Sequence, residues 1–112
     1  MIYYGGRLFR VVSTEGASQT DNETIFKYSQ IGNRVSAEYS GGAIVYGHLL
    51  GLVDSAGVLD MRYHHVDADG GLKTGVCRTT PHVLPSGKLR LSESWQWTCG
   101  DRSAGTSVLE EL

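Results

Sequence analysis

An acid occupies a position where an apolar side chain is expected. In the run GKLRLSESWQWTC, from Gly87 to Cys99, strict alternation puts Leu89, Leu91, Glu93, Trp95 and Trp97 on one face and Lys88, Arg90, Ser92, Ser94 and Gln96 on the other. An ionised carboxylate is rarely buried without a partner, so Glu93 marks a polar pocket flanked by two indoles. Groups able to partner it lie upstream in LDMRYHHVD, where Asp60, Arg62 and His64 share a face. Arg62 would neutralise Glu93 or grip an anionic ligand group with two parallel hydrogen bonds. His64 would move a proton, and Trp95 and Trp97 would stack on a flat ligand. Tyr28, in phase with Phe26, and Tyr39, in phase with Val35 and Ala37, would add hydroxyls. The chemistry expected is therefore binding of a small anionic or aromatic molecule. An enzyme built on the same group would pair His64 with Asp60 or Glu93 as acid and base, in a lyase, isomerase or hydrolase. A structural or assembly module without ligand would keep an Arg62–Glu93 pair only to fix register and the tryptophans as core.

These residues need elements to hold them. Turn signals recur at Gly32-Asn33, Gly41-Gly42, Ser55-Ala56-Gly57, Asp69-Gly70, Pro85-Ser86-Gly87 and Gly100-Asp101, with β-rich runs between them and no helical period. The runs predict strands at Arg7–Ser13, Glu23–Ile31, Arg34–Ser40, Ala43–Val53, Val58–Ala68, Leu72–Leu84, Lys88–Cys99 and Thr106–Leu112. An all-β meander of eight antiparallel strands removes both exposed edges by pairing first with last, so an up-and-down barrel is expected, with an open two-sheet sandwich as the alternative. Such a barrel has room inside for side chains or one small ligand. The polar stretch TEGASQTDN, Thr14 to Asn22, lacks apolar anchors and reads as a mobile, solvated loop that could serve as a lid.

Register decides which side chains share the interior. A two-residue turn at Asp69-Gly70 pairs Arg62 with Cys77, His64 with Gly75 and Asp60 with Thr79. The next hairpin, turning at Pro85-Ser86-Gly87, pairs Cys77 with Trp95, Gly75 with Trp97 and Thr79 with Glu93, which brings Asp60, Arg62 and His64 to the face of Glu93. Gly75 would leave space for the Trp97 indole. Periodicity argues the reverse, because Leu59, Met61 and Tyr63 are the apolar set of their strand, and a one-residue slip exchanges the two faces. The turn-derived register leaves those three on the outer wall, where a partner subunit would cover them, so a homo-oligomer is expected.

Length, charge and cysteines narrow the field. A chain of 112 residues suits a single domain, 1–112, and its net charge of −2 gives no footing on a phosphate backbone, so no nucleic-acid partner is expected. No segment approaches the ~18 apolar residues of a membrane helix, and no leader pattern opens the chain, so the expectation is a cytoplasmic protein with no membrane partner. Cys77 and Cys99 would sit four residues apart across their hairpin, roughly 13 Å, too far for a disulfide. His64 and His65, adjacent on a strand, face opposite ways and cannot chelate one ion. No metal and no cofactor are expected.

The segments TIFKYSQIGN, AEYSGG, LDMRYHHVD and ESWQWTCGD resemble a family of small bacterial proteins similar in build to avidin-like and lipocalin-like (calycin-type) barrels. The resemblance spans nearly the whole chain and implies the same barrel. Members commonly carry the label N-acetylglutamate synthase, an activity whose acetyltransferases hold the coenzyme A pyrophosphate at a glycine-rich strand-to-helix loop; this chain has no such loop.

Overall fold

A computed structural model describes residues 2–112. Among the described residues eight strands follow one another: β1 (Leu8–Glu15), β2 (Ile25–Ile31), β3 (Arg34–Gly41), β4 (Ile44–Val53), β5 (Leu59–Asp67), β6 (Leu72–Val83), β7 (Leu89–Trp97) and β8 (Ala104–Glu111). Each pairs antiparallel with the next, and β1 pairs with β8, so the sheet closes as a barrel and not as a sandwich. Alternation explains the layering. β2 buries Phe26, Tyr28 and Gln30 while Lys27 and Ser29 face out, and β3 buries Val35, Ala37 and Tyr39. Register shifts between Val11 and Ser13, Tyr39 and Gly41, and Ile44 and Tyr46 supply the extra bend that closure requires.

One end of the barrel is filled. The N-terminal segment tucks Tyr4 beneath the strands, with its N–H donating to Gln30 Oε1 at 2.8 Å and its hydroxyl donating to the Gly57 carbonyl. Its ring lies 5.8 Å from that of Tyr28, and Phe9, Val35, Leu59, Leu89, Leu91 and Leu109 complete a fully buried plug. Nothing in the alternation of MIYYGG marks it for this role. Both thiols are free, Cys77 in the interior and Cys99 two residues past β7, beside Thr74.

The β6–β7 hairpin has the expected register, with Thr79 opposite Glu93, Cys77 opposite Trp95 and Gly75 opposite Trp97. The β5–β6 hairpin does not. The Asp67 N–H bonds the Gly71 carbonyl at 3.0 Å, and the Asp67 carboxylate accepts the N–H groups of Asp69 and Gly71, so three residues, not two, form the connection. Gly70 makes it feasible with φ of 82°. The partners become Leu59 with Thr79, Met61 with Cys77 and Tyr63 with Gly75. That single extra residue inverts the strand: Leu59 and Met61 are fully buried, Tyr63 is half-buried, and Asp60, Arg62 and His64 face outward. The apolar outer patch expected of Leu59, Met61 and Tyr63 therefore does not form.

Glycines give several interior rings their seats, two of them tyrosines. Tyr39 lies across Gly47 of β4 and Tyr63 across Gly75 of β6, and a Cβ at either glycine would fall far inside van der Waals distance of the ring. The ring over Gly75 is thus Tyr63, where an indole was expected. Gly75→Ala should destabilise the fold by about 1–3 kcal/mol through overpacking. Urea unfolding measures it, and an unchanged midpoint would show that the ring is not seated there.

Candidate functional site

The half of the interior opposite the plug contains a cavity of about 50 Å³, bounded by rings from four strands and by the loop between β1 and β2. Phe26 and Tyr39 stack with centroids 4.7 Å apart, Tyr63 meets Trp97 edge-on at 5.6 Å, and Trp95 meets Trp97 at 5.9 Å. Leu49, Met61 and Cys77 supply the remaining apolar wall. Alternation along β7 carries Glu93, Trp95 and Trp97 into this space, and the Trp95 Nε1–H donates to Ser107 Oγ on β8 at 2.9 Å.

Among the described residues Glu93 is the one carboxylate in the wall. Thr79, fully buried opposite it, donates its hydroxyl to Oε2 at 3.3 Å. Burial pushes the Glu93 carboxyl up to about 7, and the Thr79 hydrogen bond offsets only part of that rise. Burial, with the negative charge of Glu93 added, also pushes the hydroxyls of Tyr39 and Tyr63 and the thiol of Cys77 upward, so all three stay protonated at neutral pH.

The mouth is crossed by residues 16–24. Trp97 Nε1–H donates to the Ala17 carbonyl at 3.0 Å. Gln19 donates from Nε2 to Asp67 Oδ2 at 2.9 Å, which leaves its Oε1 to accept from His65 Nε2 at 2.7 Å. His65 then carries its proton on Nε2, and Nδ1 accepts the Tyr39 hydroxyl at 2.8 Å. The hydrogen bonds run in one direction, from Tyr39 to His65 to Gln19 to Asp67. Burial pushes His65 down to about 4, consistent with a neutral ring. The Gln19 hydrogen bond, with help from the Gly71 N–H and Lys73, holds Asp67 down at about 2. A stretch expected to be mobile is thus hydrogen-bonded to the barrel rim at both Ala17 and Gln19.

Of the side chains singled out in the sequence, Tyr39, Glu93, Trp95 and Trp97 meet at the cavity. Tyr28 points inward but lies deeper, in edge contact with Phe9 at 5.0 Å, and its buried hydroxyl has no hydrogen-bond partner among the described residues. Asp60, Arg62 and His64 do not reach the interior. Arg62 bonds Asp60 at 2.7 Å with both side chains about two-thirds exposed, a surface pair of little energetic weight, and His64 rests against His48 with ring centroids 5.6 Å apart. Their place inside was expected from the two-residue turn, and the third turn residue removes it. His65, Tyr63 and Met61 stand there instead, and the apolar phase Leu59–Met61–Tyr63 was the signal for them. Gln19 had no signal, because its role depends on a loop conformation.

A closed eight-stranded meander, plugged at one end and hollow with an aromatic wall at the other, has the architecture of the small-molecule-binding barrels. The chain belongs to the avidin-like protein family, which it matches over residues 2–112. No match was found among curated proteins or among solved structures.

Proposed function

We propose that the protein binds one small organic molecule in the cavity beneath residues 16–24, between the Trp97, Tyr63 and Tyr39 rings and the Glu93 carboxyl. The observation that carries this reading is the composition of the wall: aromatic and aliphatic side chains with a few polar groups among them, Glu93, His65, Gln19 and Ser107, the usual make-up of a site that buries and orients a small ligand. A tightly packed core would instead continue the plug to the other end. The volume sets the scale, since about 50 Å³ holds only a few water-sized groups. A larger ligand requires the loop to lift from Trp97 and His65.

Native mass spectrometry of gently purified protein tests this, and an excess mass that disappears on denaturation is expected. Trp97→Ala removes both a wall and a loop anchor, and should weaken retention of that mass on the order of tenfold. A bare mass, together with tryptophan emission indifferent to small-molecule extracts, would sink the reading.

A further inference from the structure

The cavity has a sign. No lysine or arginine among the described residues lines it, and the one arginine expected inside, Arg62, is on the outer wall. Around Glu93 the neighbouring strands present Thr79 and Cys77 from β6 and Ser107 from β8. Its charge is also felt by Tyr28, Tyr39 and Tyr63 across the barrel. His65 closes the mouth as a neutral ring already committed at both nitrogens. Every one of these groups is uncharged at neutral pH, and the Asp67–Lys73 ion pair lies at the rim outside the lining, so the cavity wall offers a ligand either no charge or one negative charge, never a positive one.

Resting on the binding reading above, we infer that the cavity selects a compact organic cation, an alkylammonium or guanidinium head of roughly four heavy atoms, paired with Glu93 and bounded by aromatic rings. Two features converge on this class. A carboxylate among rings is a poor place for an anion, which would meet like charge with no counter-ion to repay its lost hydration. A cation regains hydration energy twice, from the carboxylate and from the electron-rich rings that line the cavity, Tyr63, Trp95 and Trp97 among them. The anionic ligand expected when Arg62 was placed inside is thereby reversed.

Guanidinium and urea, alike in size and planarity and different in charge, separate the possibilities. Each is titrated at millimolar concentration into the full chain at pH 6 and pH 8 under matched sodium chloride, following tryptophan emission. Guanidinium should bind about tenfold more tightly at pH 8 than at pH 6, because Glu93, with its carboxyl at about 7, is largely ionised only at the higher pH. Urea should show no such pH dependence, and Glu93→Gln should lose the guanidinium response. Equal binding of urea and guanidinium, or guanidinium binding that survives Glu93→Gln, would overturn the inference while leaving the cavity a binding site. No response to either probe in the native chain would overturn both. A native-like unfolding transition of Glu93→Gln confirms that loss of binding is not loss of fold.

Discussion

Glu93→Gln should make the protein more stable above neutral pH. In the unfolded chain this carboxyl ionises near 4.5, whereas in the barrel burial holds its proton until about 7. Between those values the unfolded state has released a proton that the folded state keeps, so stability falls as pH rises through the window and levels off above it. The full shift corresponds to at most about 3 kcal/mol, and the cavity-facing surface of the side chain reduces it. Glutamine has no charge to desolvate and keeps an oxygen for the Thr79 hydroxyl. Urea unfolding at pH 5 and pH 8 is the measurement. The variant should gain about 1–3 kcal/mol over the native chain at pH 8 and little at pH 5; equal gains at both would show that Glu93 titrates normally.

The second large effect has the opposite slope. His65 in the unfolded chain takes a proton near 6.5, but in the barrel burial delays this to about 4. As pH falls through that window the unfolded state binds the proton first, so stability is lost on acidification, by at most about 3 kcal/mol. Protonation would also put a second donor against Tyr39, whose hydroxyl now donates to Nδ1. The two windows overlap between about 4.5 and 6.5, where Glu93 and His65 oppose each other and the native profile should be shallow. Each substitution exposes the other group. Glu93→Gln should show stability rising with pH across the overlap, and His65→Gln should show it falling. Parallel profiles for the two variants would refute the assignment of these groups.

Alternation and turn chemistry made most of the barrel legible. Phe26 with Tyr28, and Leu89 with Leu91, leave no doubt about which face of β2 and β7 is buried, and Pro85-Ser86-Gly87 sets the β6–β7 register as observed. The failure sits at one turn. Asp69-Gly70 suits a two-residue turn and also a longer one in which glycine takes the left-handed position, and only the latter lets the Asp67 carboxylate collect two backbone N–H groups. Local propensity favoured the shorter turn, while burial of Leu59, Met61 and Tyr63 inside a closed sheet is worth more than any turn preference. The loop side of the site was less legible because Gln19 acts through a backbone path that no periodicity encodes. The Tyr4 plug was hidden for a similar reason, its anchors being single bonds to Gln30 and Gly57 far along the chain.

That plug has a kinetic consequence. With Tyr4 and its neighbours sealing one end, a ligand bound as proposed would have to leave by the path it came in, under residues 16–24. Arrival and departure then share a single barrier, set by release of Ala17 from Trp97 and of Gln19 from His65. Loosening the loop would speed both rates together and leave affinity nearly unchanged, so residence time and strength of binding can be tuned apart in this barrel.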